Sequence, residues 1–169
     1  MIVRLAAGSL RTRFGTFQQV LYYDGQKESI ALVLGDVQGT QGVLCRVHSQ
    51  CLNGHVFNSI ECDCREQMEA AQRRIQQEGR GVIVWLDQEG RGNGHLALLA
   101  SRRLKDEGVP QSEAYVRLGY AADARRFTPA AEILRDLGVV SIRLLSENPD
   151  KAGELRQAGM VVTGTEPPA

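Results

Sequence analysis

The chain has 169 residues, 43% of them hydrophobic and 24% charged, values that exclude a disordered or collagen-like polypeptide. The length suits one domain of the usual roughly 100–200 residues. Twenty Lys and Arg residues balance 20 Asp and Glu, so no global field recruits nucleic acid or an anionic membrane.

No apolar run reaches the roughly 18 residues of a membrane span. Arg4, Arg11 and Arg13 interrupt the amino-terminal stretch, so no secretory segment is drawn through it and the sequence reads as cytoplasmic. Residues 14–23, 29–34 and 43–47 read as strands, punctuated by Gly25, Gly35, Gly39 and Gly42. From Asp63 the period changes. Met68, Ala71 and Ile75 recur at helical spacing and predict a helix over 64–78, with Asp63 and Glu66 as a capping box and Gly79 as its stop. GVIVWL at 81–86 is nearly all apolar, the pattern of a strand covered on both faces. A second helix is expected over 96–107, closing at Gly108. Thr128 as N-cap and Pro129 at the first helical position begin a third, which stops at Gly138. A strand over 139–145, a short helix to about Gln157 and a strand over 160–163 complete the series, and 164–169 read as a polar, frayed tail. Strands first and strand–helix alternation later predict an α/β (α+β mixed) fold, a single domain over 1–169 with a mixed sheet and flanking helices.

Cysteine usage carries the first chemical signal. Cys45, Cys51, Cys62 and Cys64 fall within one short stretch, and the rest of the chain has none. Without an export signal the thiols stay reduced, which favours metal binding or thiol chemistry over a disulfide framework. Cys51, Cys62 and Cys64 offer zinc a soft ligand set, and a helix beginning at residue 64 sets partial positive charge beside the last two. Three readings stay open: a site with a fourth position for water, a structural knuckle closed by His48, His55 or Cys45, or a set of buried thiols. Cys45, beside Leu44 in an apolar strand, reads as a core residue.

Other segments are weaker alone. Glycines at 90–94, between a strand and a helix, let backbone N–H groups approach phosphate oxygens, while Arg91 adds a planar fork and Glu89 an acceptor for a guanine edge. The alternative is an ordinary turn with solvated charges. Strand alternation places Arg46 and His48 on one face and Val47 on the other, with His48 a ligand, a proton carrier or a hydrogen-bonded core residue. Asp123 and Arg125 by themselves read as a surface ion pair.

Taken together, RVHSQC, the spacing of the three later cysteines, DQEGRGNG, LGYAADARRF and LLSENPDK occur in an order that resembles GTP cyclohydrolase II, the zinc enzyme that opens the imidazole ring of GTP at the head of riboflavin biosynthesis. The resemblance runs from about Thr12 to Val162. It implies Zn2+ on Cys51, Cys62 and Cys64, Mg2+ with the triphosphate, and a homodimer. It implies nucleotide contacts from Arg46, His48, Ser49, Gln50, Gln67, Glu89, Gly90, Arg91, Ser146 and Lys151. Asp123 resembles the family's proton acceptor and Arg125 its nucleophile, which takes the nucleotidyl group as diphosphate leaves. Formate release from C8 would complete the reaction.

The chain departs from the family pattern at Gln50, where the family has Glu, at Ser146, where it has Thr, and at Arg102, where it has a Tyr needed for the complete reaction. A guanidinium cannot act as an acid near neutral pH. Two further readings therefore accompany the first: a sibling that stops at the formamidopyrimidine nucleotide or uses another purine nucleotide, and a nucleotide-binding module with a structural zinc.

Overall fold

Alternating apolar residues build the outer half of the sheet. In the computed structural model, which describes residues 1–168, β1 (Val3–Thr12), β2 (Gly15–Tyr23) and β3 (Glu28–Leu34) form an antiparallel meander. Val20 and Tyr22 of β2 and Ala31 and Val33 of β3 point to one face, and Phe17, Leu32 and Leu34 to the other.

The inner half is parallel. β4 (Val43–Ser49), β5 (Gly81–Leu86), β6 (Ser141–Leu145) and β7 (Val161–Glu166) extend one seven-stranded sheet in the order β1-β2-β3-β5-β4-β6-β7. β5 joins the two halves, antiparallel to β3 and parallel to β4. Both its faces are covered, as its unbroken apolar run predicts. Helix α2 (Cys64–Glu78) lays Ala71 and Ile75 against Phe17, Leu44, Ile83 and Leu145 on one face. Helices α6 (Thr128–Asp136) and α7 (Pro149–Gln157) cover the other, where Ile133, Leu134 and Leu155 meet Cys45, Val47, Val82 and Val84. No helix among the described residues is long and apolar enough to cross a membrane.

Several expected boundaries move. The helix expected over 96–107 is two, α3 (His95–Ala100) and α4 (Arg102–Asp106). Ser101 sits at the break, where its hydroxyl donates to the Leu98 carbonyl and competes with the helical ladder. The Asp63–Glu66 capping box does not form. The Asp63 carboxylate instead accepts from the Gln67 side chain, with both contacts at 2.9 Å. Thr128 lies inside its helix, with Phe127 at the cap. The strand expected from residue 139 begins at Ser141. Gly164, Thr165 and Glu166, expected as frayed tail, pair with Arg143, Leu144 and Leu145 of β6, while Ala169 lies outside the described residues. β1 and the helix α5 (Gln111–Arg117) have no counterpart in the sequence reading, and α1 (Leu52–His55) is a single turn between β4 and α2.

Candidate functional site

The carboxyl ends of β4, β5 and β6 open into one crevice. The chain leaves β4 for β5 across one face and returns from β5 to β6 across the other, so the strand ends diverge there, as at ligand sites of open α/β sheets. A cavity of about 590 Å³ occupies it. Along its walls stand residues from the end of β4 (Arg46, His48, Ser49, Gln50), the thiols, Gln67 of α2, the segment 88–91, and Arg102, Arg125 and Lys151.

At one end the sulfurs of Cys51, Cys62 and Cys64 lie within 4.8 Å of one another, with Cys51 and Cys62 3.5 Å apart. No His or carboxylate joins that group among the described residues, and Cys45 is buried in the core. The donor set fits a thiophilic metal ion, and all three cysteines line the cavity. Burial pushes the Cys51 and Cys64 thiols above the ordinary range. Helix α1 makes the closure possible because residue 54 is glycine: a Cβ there would meet the Cys62 Sγ at 2.8 Å.

Beside the thiols are two buried cations without a carboxylate partner among the described residues. Arg46 is 6% exposed. Its guanidinium donates to the Leu145 carbonyl at 2.7 Å, to Gln67 Oε1 at 2.5 Å and to His48 Nδ1 at 3.4 Å. Lys151 is 5% exposed and donates to the Val47 carbonyl at 2.8 Å. Burial first, then repulsion from Arg46 and Arg125, holds its amine down at about 7. Burial holds the His48 imidazole down at about 3, so the ring is neutral. With Nδ1 accepting from Arg46, the proton sits on Nε2, which has no partner.

The Gly-rich loop departs from the expected phosphate cradle. The amides of Gly92, Asn93 and Gly94 donate to carbonyls of residues 88–90, because positive φ angles at Gly90, Arg91 and Gly92 fold the loop back on itself. A Cβ at Gly92 would meet the Ala124 carbonyl oxygen at 2.6 Å, and that approach lets the Arg91 carbonyl accept from the Ala124 amide. Glu89 accepts from the amides of Leu52 and Gly90, so its carboxylate ties this loop to the thiol loop.

The remaining expected residues divide. Arg125 lines the cavity and is gripped by Asp123, its Nε donating at 2.9 Å and its Nη2 at 2.5 Å. Asp123 itself faces the neighbouring hollow beside α7. Burial raises the Asp123 pKa, but the hydrogen bonds from Arg125 outweigh it and leave the group below its ordinary value. Arg102 lines the cavity and pairs with Glu61 at 3.0 Å. Ser146 is buried away from the cavity wall, its hydroxyl accepting from the Asn148 amide. Sequence reasoning missed Gln88, which bridges the Arg126 amide and the Ser49 hydroxyl, and missed Gln111 and Tyr115 of α5. For Gln88 the signal was its place just past the all-apolar strand. For α5 there was none.

The family profile of GTP cyclohydrolase II matches residues 4–167. The chain is 47% identical over 150 residues to the riboflavin biosynthesis protein RibBA of Bacillus cytotoxicus, covering 88% of this chain and 38% of that protein. It is 42% identical over 168 residues to the GTP cyclohydrolase-2 of Actinobacillus succinogenes, covering 98% of this chain and 77% of that one. It thus spans about two fifths of the RibBA relatives it matches. Its fold is similar to the crystal structure of RibBX, a two-domain 3,4-dihydroxy-2-butanone 4-phosphate synthase from A. baumannii, with a TM-score of 0.55 and 23% identity over 98% of this chain and 39% of that one.

Proposed function

Because the chain belongs to the GTP cyclohydrolase II family, we propose that it opens the imidazole ring of GTP at C8 and releases diphosphate and formate. One observation carries the reading: three converging thiols and two buried, carboxylate-free cations line a single cavity. Zn2+ is assigned to Cys51, Cys62 and Cys64, where a Lewis acid would activate water for attack on an electrophilic carbon. Mg2+ is assigned to the triphosphate oxygens, since the described residues offer it no cluster of carboxylates.

The chain's own residues have separable tasks. Arg46 and Lys151 present positive charge to the triphosphate and to the departing diphosphate. Arg125 is assigned as nucleophile. A guanidinium nitrogen bonds to the α-phosphorus, the bond to the diphosphate oxygen breaks, and the guanidinium proton passes to Asp123. Asp123 is ionised and holds Arg125 through two nitrogens, a geometry suited to both orientation and proton acceptance. Hydrolysis of that bond frees Arg125.

A second reading has its own support. Arg102, paired with Glu61 at the cavity wall, is a permanent cation that donates hydrogen bonds but no proton near neutral pH. It favours a product that keeps the C8 carbon as a formamide. Incubating the purified protein with GTP, Mg2+ and Zn2+ and weighing the products by mass spectrometry separates the two. One formate per GTP supports complete ring opening, and a retained formyl group supports the second. GTP left intact by zinc-replete protein refutes both.

A further inference from the structure

Tyr115 lies in the middle of α5, four residues after Gln111, and both line the cavity. The side chain is fully buried, and its hydroxyl has no hydrogen-bond partner among the described residues. Buried phenols normally find a partner, and leaving one without costs stability. Tyr22, the other large buried tyrosine, shows the usual arrangement: its hydroxyl donates to Asp136 at 2.7 Å. Tyr115 is cut off from bulk water, so whatever satisfies it enters through the cavity.

We infer that Tyr115 is a nucleotide-binding residue, whose hydroxyl donates a hydrogen bond to an oxygen of the purine nucleotide in the cavity. The inference rests on the nucleotide reading above and adds a contact that the sequence did not point to. The phenol suits a donor role. Burial chiefly, with the carboxylates of Glu89 and Asp123 and against the guanidinium of Arg91, pushes its pKa upward and keeps it protonated. A hydroxyl without a partner in the folded chain destabilises the empty protein and strengthens binding of the ligand that meets it, an exchange common at functional sites.

The test is Tyr115→Phe, which removes one oxygen and keeps the ring. Affinity is measured by calorimetry with the GTP analogue carrying a methylene bridge between the α- and β-phosphates, which cannot lose diphosphate. Thermal unfolding without nucleotide is measured alongside. The expected result is binding weakened about tenfold, the size of one hydrogen bond lost to a bound partner, with a Tm unchanged or higher. An unchanged Kd overturns the inference and leaves the nucleotide reading standing. A lower Tm also overturns it, because the hydroxyl would then have its partner within the folded chain. Failure of the unaltered protein to bind the analogue overturns the nucleotide reading itself, and this inference with it.

Discussion

The thiol cluster depends on a missing side chain, so adding one is the sharpest test of its geometry. A methyl group at Gly54 would lie 2.8 Å from the Cys62 Sγ, 3.3 Å from the Cys64 Cβ and 3.4 Å from the Cys51 Sγ. Relaxed carbon contacts fall at roughly 3.5–4.0 Å, so Gly54→Ala must displace the Cys62 sulfur by on the order of 1 Å. Metal–ligand distances tolerate only about 0.2 Å. Helix propensity would reward alanine by up to about 1 kcal/mol, but α1 is a single turn and captures little of that. Overpacking of this kind costs about 1–3 kcal/mol. Gly54→Ala should therefore lose zinc affinity about 10- to 100-fold, the effect of disturbing the support of a metal ligand. A chelator-competition titration reads the affinity. Gly153→Ala is the control: it sits inside α7, and its Cβ would meet nothing within 4 Å. That change should stabilise the protein by about 0.5–1 kcal/mol and leave zinc affinity alone. Full zinc affinity in Gly54→Ala would refute the claim that these thiols close on a metal ion in this arrangement.

Four more outcomes follow from the site. The Lys151 amine titrates at about 7 in the empty protein, against 10.5 ordinarily, and a triphosphate should restore its charge, so nucleotide binding takes up a proton and weakens as pH rises above about 7. Calorimetry in buffers of different ionisation enthalpy checks this, and equal apparent enthalpies would sink it. For the same reason the unfolded chain holds this proton more tightly than the folded one, so the Lys151 contribution makes the empty protein more stable as pH climbs from about 7 to about 10.5. Asp123→Asn should lower kcat by about 10²- to 10⁴-fold, the worth of a positioned proton acceptor, with KM for GTP changed only a few-fold; a diphosphate-release assay reads it. Arg102→Tyr should raise the yield of formate per GTP, and an unchanged ratio would show that Arg102 does not control the product.

Much of this molecule was legible because its strongest elements carry redundant signals. The helix over 64–78 has an apolar period, a run of good helix formers and a glycine at its end, and it forms with those bounds. β5 is apolar throughout because both its faces are covered. β1 was illegible for the converse reason. It is the outer strand, almost every residue is exposed, and its pattern answers to pairing with β2 rather than to burial. α5 is short, and only Ala114 and Tyr115 are buried, too little for a period. In the site, the cysteine spacing and the order of the motifs pointed to one crevice, and most of the named residues line it. What spacing could not reveal is how each polar group is already engaged. The Glu89 carboxylate and the loop amides look free in one dimension and are occupied in three. Tyr115 sits in a segment that reads as connection and holds one of the hydrogen-bonding groups left without a partner.

The electrostatics of the crevice follow from its place at the strand ends. Burying Arg46 and Lys151 is costly, and the usual compensation is a carboxylate. Here each cation donates instead to a main-chain carbonyl on a parallel strand, Arg46 to Leu145 in β6 and Lys151 to Val47 in β4. A carbonyl dipole satisfies donors without cancelling their charge, whereas a carboxylate would neutralise it. The sheet thus holds a guanidinium and an amine that gains its proton near pH 7 in its interior, and leaves their positive charge available to a polyanion. Burial first, and then the neighbouring positive charges, lower the Lys151 pKa, since each positive group makes the next harder to protonate. Asp123, by contrast, is a carboxylate, and it grips Arg125, the group whose proton must be removed if it is to act as a nucleophile. On the proposed reading, charge is left unpaired where the triphosphate would bind and paired where a proton would leave, the division expected of a reaction site rather than of a cluster of buried ions.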